Sequence, residues 1–199
     1  MKPILYDVPM PILTPRLMLR PCRAGDGPAL NEALRESVDL LRPWMPWARG
    51  PLPTVEESEE NCRQSEARFV LREDLRMLMF GRESGRLIGS TGLHRFNFEG
   101  GVFEIGYWVR SSEGARGYAT EATHALTRYA FGALGARRVQ LFCNAENHRS
   151  RAIPRGLGFL EEGRLREYDT YVEATAPTRD SYVYSRISLE GLAPFDVSW

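Results

Sequence analysis

An alternating apolar run, residues 102–109, gives way to Gly114-Ala115-Arg116-Gly117-Tyr118-Ala119-Thr120-Glu121-Ala122, which opens an amphipathic pattern from Gly117 to Leu134. A switch from period two to a helical period predicts a strand that turns into a helix. Small residues at such a junction leave backbone N–H groups facing open space. The first N–H groups of a helix have no intrahelical partner, and the helix dipole favours negative charge there. The junction therefore reads as an anion site, phosphate foremost. An ordinary structural helix start reads the same way, so neighbouring segments must decide.

Residues 137–143 supply a second strand, so the chain holds one strand–helix–strand unit, a parallel right-handed crossover. Ala119, Ala122, Leu126, Tyr129, Ala130 and Ala133 recur at helical spacing and should face the sheet. Several are alanines, which bring the helix N-terminus close to the strands' carboxyl ends, where such sheets bind ligands. Further strands are expected at residues 16–21, 75–82, 87–96, 159–164 and 182–187. Gly89 and Gly92 inside one of them signal a bulge or a close approach by another group. Helices are expected at 28–37, from the Thr54-Val55-Glu56-Glu57 capping box to about Arg72, and at 151–157. The fold class is α/β (α+β), a single domain at 14–189 with an arm at 1–13 and a tail at 190–199.

Several functions drop out. Lys+Arg and Asp+Glu balance at 26 each, which gives no electrostatic case for nucleic acid. The three cysteines, Cys22, Cys62 and Cys143, are far apart and form no metal-ligand spacing, so no metal is expected. The start lacks a signal-peptide core and no apolar run reaches membrane-spanning length, so a cytoplasmic protein without membrane association is expected. No lysine follows the glycines as in a Walker loop, and the spacing of a dinucleotide fingerprint is missing too.

The run Glu104-Ile105-Gly106-Tyr107-Trp108-Val109, with the glycine turn after it, resembles the acetyl-CoA-binding core of the GNAT N-acetyltransferases, in particular the RimJ/RimL-type branch. Residues 14–20 (TPRLMLR), Asn147-His148-Arg149-Ser150 with 156–159 (GLGF), and 179–185 (RDSYVYS) fall in the family's order, so the likeness spans roughly Thr14 to Ile187. It implies a mostly antiparallel mixed sheet of about seven strands with flanking helices. It also implies transfer of an acetyl group from acetyl-CoA to a primary amine. The turn motif departs at Gly114, where relatives carry Gln or Arg; Gly117 and Ala119 match. Backbone donors survive that change.

The same resemblance implies roles. Backbone groups of Trp108, Val109 and Arg110 hold the pantetheine and acetyl group, with the Val109 N–H on the oxyanion. The turn from Gly114 through Ala115, Arg116, Gly117, Tyr118 and Ala119 to Thr120 holds the pyrophosphate, Asn147 touches the pantetheine arm, and Ser150 sits near the sulfur. Attack by an amine needs a base. Glu167 ranks ahead of Glu104, which is kept as a substrate-site or water-relay residue. Cys143 reads as a buried hydrophobe, and His94, His124 and His148 carry no motif. Trp44 and Trp47 lie on a segment with four prolines, residues 40–53, one expected in the core and the other in a site wall. With Tyr168 and Asp169 they would frame the acceptor, a protein N-terminus or a small-molecule amine. The rival is a CoA-binding sensor that has lost catalysis. The apolar tail and the relatives together point to a homodimer.

Overall fold

The computed structural model describes residues 2–168 and 179–199. Eight strands form one sheet in the order β1-β2-β3-β4-β5-β6-β8-β7. They are β1 (Ile12–Leu13), β2 (Leu17–Pro21), β3 (Leu75–Gly81), β4 (Leu87–Asn97), β5 (Val102–Val109), β6 (Arg138–Asn144), β7 (Leu160–Leu165) and β8 (Ser181–Arg186). Four helices accompany them: α1 (Gly27–Leu41), α2 (Val55–Leu71), α3 (Tyr118–Gly132) and α4 (His148–Gly156). Every neighbouring pair is antiparallel except β5–β6. That parallel pair is joined through α3, as the strand–helix–strand reading requires.

Local chemistry sets the helix starts. Thr54 accepts from the Glu57 N–H while the Glu57 carboxylate accepts from the Thr54 N–H, the capping box in full. Pro28 sits in the first turn of α1, where its missing N–H is no loss. α4 begins at Asn147, whose side chain accepts from the Ser150 N–H at 3.0 Å.

The sheet buries both faces. On one, Phe103 and Ile105 of β5 meet Ala122, Ala125, Leu126, Tyr129 and Ala130 of α3, all of them buried. On the other, Trp108 packs with Leu30, Ala33 and Val38 of α1. A fully buried side chain such as Leu126 or Leu30 contributes roughly 1.5–3 kcal/mol. These contacts clamp β5 between two helical layers.

The arm and tail are part of the domain rather than loose ends. β1 adds an eighth strand beside β2, and Leu13 bridges Ser198 of the tail. Tyr6 stacks on Phe98 at 4.3 Å. In the tail Leu192 is buried, Phe195 stacks on His124 at 4.4 Å, and Trp199 meets the edge of Tyr129 at 5.4 Å. The tail thus packs on its own domain, with Trp199 still partly exposed.

Candidate active site

The pairing of β5 with β6 stops at Glu104↔Gln140. Beyond that point a cavity of about 1100 Å³ opens, with Ile105 to Trp108 on one wall and Leu141 to Asn144 on the other. Backbone alternation decides which groups face the gap. The Arg110 N–H donates to the Ile88 carbonyl at 2.9 Å and Gly89 pairs with Val109. The peptide groups of Trp108 and Arg110 therefore belong to the β4 ladder, and that of Val109 points toward β6. Of the three backbones expected to hold the ligand, only that of Val109 points toward the gap. Trp108 contributes its side chain to the cavity wall instead.

The Arg110 side chain is turned away from the gap. Its Nη2 donates to Glu32 at 2.6 Å and its Nε to Glu36 at 2.9 Å, both on α1. The Glu36 carboxylate also accepts from the Ser112 N–H at 2.7 Å and the Ser111 hydroxyl at 2.9 Å. Arg110 and these donors hold the Glu36 carboxyl far below the usual carboxylate range. The Ser111 N–H donates to the Ser37 hydroxyl at 3.0 Å. α1 thus anchors the short 3₁₀ turn at Ser111–Glu113 that leads to the glycines.

Ala115 (φ 60°) and Gly117 (φ 82°) both take left-handed backbone conformations, and Gly117 caps α3 with no side-chain acceptor. The first α3 ladder bond runs from the Glu121 N–H to the Gly117 carbonyl, so the N–H groups of Tyr118, Ala119 and Thr120 precede the ladder. Two arginines stand beside them. Arg116 pairs with Glu113 at 3.1 Å, and Arg16 donates to the Arg116 carbonyl at 3.0 Å while its guanidinium lies 4.6 Å over the Tyr118 ring. Arg16 was read only as part of the first strand. Nothing in one sequence brings it 100 positions along the chain to this turn. Arg16 is also ion-paired to Glu121 in the first turn of α3, so each arginine already holds a carboxylate, and it is the uncapped N–H groups of the helix start that suit a pyrophosphate. A methyl built on Gly114, at the end of the 3₁₀ turn, would stand 3.2 Å from the Ser111 carbonyl.

Across the gap, the Tyr107 hydroxyl lies 3.0 Å from the Ser150 hydroxyl, which donates to the Cys143 sulfur at 3.3 Å. Burial raises both the Tyr107 phenol and the Cys143 thiol, the latter to about 11, so Cys143 stays a neutral thiol. Tyr107 escaped the sequence reading because period two alone does not say that α4 lies beneath it. Asn147 spends its side-chain oxygen on the α4 cap and keeps its NH₂ beside the cavity.

Trp44 and Trp47 both line the cavity, and neither belongs to the buried core. Trp47 stands 5.9 Å from Trp108 and is half exposed. Trp47 sits on a short 3₁₀ turn, Pro46–Ala48, that turns Ala48 and not the tryptophan into the core. Tyr168 lines the opposite wall and stacks on Phe142 at 5.0 Å. Asp169 lies outside the described residues.

The two glutamates separate. Glu104 lines the cavity, with Arg95 at 3.1 Å; burial raises its carboxyl, while Arg95 and His94 offset part of that. Glu167 is on a left-handed turn (φ 52°), 60% exposed, ion-paired to Arg179, and absent from the cavity wall. His94, which carried no motif, also lines the cavity. Among the described residues no group of three His, Cys, Asp or Glu side chains is placed to hold a metal, and no helix could cross a membrane.

Residues 16–160 match the model of the acetyltransferase (GNAT) domain. YdaF of Bacillus subtilis (strain 168), provisionally named a ribosomal N-acetyltransferase, is 30% identical over 76% of this chain and 81% of its own. The ribosomal-protein-serine acetyltransferase of Escherichia coli (strain K12) is 28% identical over 68% of this chain and 75% of its own. RimL, a ribosomal L7/L12 alpha-N-protein acetyltransferase solved with coenzyme A, superposes with a TM-score of 0.76 at 22% identity, covering 87% of this chain and 95% of that one.

Proposed function

This chain belongs to the GNAT acetyltransferase family, and from that premise we propose that it moves an acetyl group from acetyl-CoA to a primary amine by direct attack within a ternary complex. One observation carries the reading. The break between β5 and β6 opens a cavity that holds a carboxylate, a hydroxyl pair and three tryptophans, and β5 leads from its wall to an uncapped helix start with two arginines.

The parts fit the cosubstrate. The N–H groups from Ala115 to Thr120, with Arg16 and Arg116, suit the pyrophosphate. The Val109 N–H and the Asn147 amide face the pantetheine path, and Val109 is the donor we assign to the developing oxyanion. Acetyl-CoA supplies an activated thioester. A deprotonated amine attacks its carbonyl carbon, the carbon–sulfur bond breaks, and the thiol leaves. Ser150, held by Tyr107, hydrogen-bonds the departing sulfur. Glu104 draws the cationic amine into the cavity, a role its position supports and the outward position of Glu167 does not.

The names of YdaF and the E. coli enzyme support a ribosomal-protein N-terminus as acceptor. A cavity walled by Trp44, Trp47 and Tyr168 has room for the first residues of such a chain. The test couples binding with turnover. Acetyl-CoA should raise the melting temperature, and a serine- or alanine-initiated peptide should then release free CoA. Stabilisation without CoA release from any peptide, polyamine or amino-acid amide would favour the sensor reading.

A further inference from the structure

We propose that His94, oriented by Asp74, is the base that deprotonates the acceptor amine, an assignment that rests on the acetyl-transfer reading above. The His94 Nδ1 lies 2.6 Å from the Asp74 carboxylate. A carboxylate accepts and does not donate, so Nδ1 carries the hydrogen and the neutral ring keeps a lone pair on Nε2. Asp74 comes from the link between α2 and β3, and His94 from the middle of β4, 20 positions later.

The sheet is shaped to receive the ring. Gly92 and Gly106 are direct cross-strand partners on β4 and β5. A methyl built on Gly92 would stand 2.9 Å from the imidazole Cε1. One built on Gly106 would stand 2.9 Å from Cδ2 and 3.3 Å from Nε2. The imidazole therefore lies flat across a floor made of two glycines. The close approach that Gly92 signals from the sequence is shared by this ring and the β3 backbone, whose Leu75 carbonyl would stand 2.7 Å from the same methyl. Gly106 and His94 both line the cavity.

The charged groups around the ring suit the role. Glu104 is the cross-strand partner of His94, Arg95 follows on the same strand and pairs with Glu104, and Asp74 holds Nδ1. Arg76 of β3, the cross-strand neighbour of Gly92, is tied to Asn61 at 2.6 Å and to Ser90 at 3.2 Å. Two carboxylates flank the imidazole, and Glu104 attracts the ammonium. The ammonium gives one proton to Nε2, which passes it to solvent. The attacking nitrogen loses its second proton to the departing thiolate. The products are an amide, a thiol and one released proton, so the step balances.

The test uses the whole chain with acetyl-CoA and the best amine of a panel of serine- and alanine-initiated peptides and spermidine. His94→Ala should lower kcat by roughly 10²–10⁴-fold, the ordinary contribution of a positioned base, while added imidazole restores part of the rate. Asp74→Asn guards against a misfolded histidine variant. Its amide can donate to Nδ1 and strand the proton on Nε2, so kcat should fall with melting temperature nearly unchanged. Gly106→Ala should act likewise, because its methyl meets only the movable ring. Wild-type turnover with His94→Ala within a few-fold, or a loss that imidazole leaves untouched while Asp74→Asn is unimpaired, overturns the assignment and leaves the acetyl-transfer reading standing. No turnover by the wild type with any amine, acetyl-CoA being bound, sinks both.

Discussion

Replacing Glu36 with glutamine tests whether α1 holds the cofactor turn in place. The Arg110 side chain is 2% exposed, and Glu36 is its most buried anionic partner, 26% exposed. Removing one member of a buried ion pair costs about 3–5 kcal/mol. Glu32 stays as a second partner and a quarter of the Glu36 carboxylate is already hydrated, so the expected loss is about 2–3 kcal/mol. For a chain of this length that lowers the melting temperature by roughly 4–12 °C. The pH dependence has a definite sign. The folded-state carboxyl of Glu36 is depressed, so its contribution is present above the unfolded carboxylate pKa, about 4.3, and is lost as pH falls further. The gap between wild type and variant should be constant from pH 5 to 8, values set by that general range, and narrow in stronger acid. Differential scanning calorimetry across pH, followed by titration with acetyl-CoA, measures both. Glutamine has one amide oxygen, so it can accept from Arg110 or from Ser111 and Ser112 but not from both, and acetyl-CoA affinity should fall in parallel. A melting temperature unchanged at pH 7, or lowered stability with full cofactor affinity, would refute the clamp.

Three other outcomes follow from the geometry. Glu104→Gln should weaken amine binding yet raise the melting temperature slightly at neutral pH: a carboxyl raised by burial favours the fold while protonated and disfavours it once ionised, so the gain should vanish as pH falls below the ordinary carboxylate pKa of about 4.3, as melts at two pH values would reveal. Trp47→Ala should raise the acceptor KM with little change in acetyl-CoA affinity or melting temperature, because half the side chain is already in water; steady-state kinetics with each substrate varied decides. Gly117→Ala has room for its methyl, the nearest atom being Arg16 Nη2 at 3.5 Å, but must hold a left-handed backbone at a cost of roughly 1–2 kcal/mol. Calorimetry should find that loss, and isothermal titration a weaker acetyl-CoA complex.

Sequence patterning exposed what is local. Seven strands, the capping box of α2 and the strand–turn–helix at the glycines all follow from periodicity and residue type within one segment. β1 escaped because two residues between prolines show no period; its partners are β2 and, at Ser198, the far end of the chain. The resemblance put the Arg110 backbone in the cleft, and only the fold reveals Glu32 and Glu36 holding its side chain. Sequence could not place Glu167 and Glu104 relative to the cavity, since only the fold shows Glu104 on its wall and the turn after β7 carrying Glu167 outward. Gly92 announced a close neighbour without naming it, and the Asp74–His94 pair needs two segments brought together by the β3–β4 pairing. Helical and strand periods report which face a residue takes, not which distant side chain meets it.

The most direct measurement follows the acetyl group itself. The chain is incubated with acetyl-CoA carrying an isotopically labelled acetyl group and with serine- and alanine-initiated peptides, and the products are weighed and fragmented by mass spectrometry. The account predicts one labelled acetyl group on the α-amine, with an equal amount of free CoA and no label left on the protein. Label held on Cys143 or another side chain, or bound acetyl-CoA that never yields an acetylated amine, would contradict it.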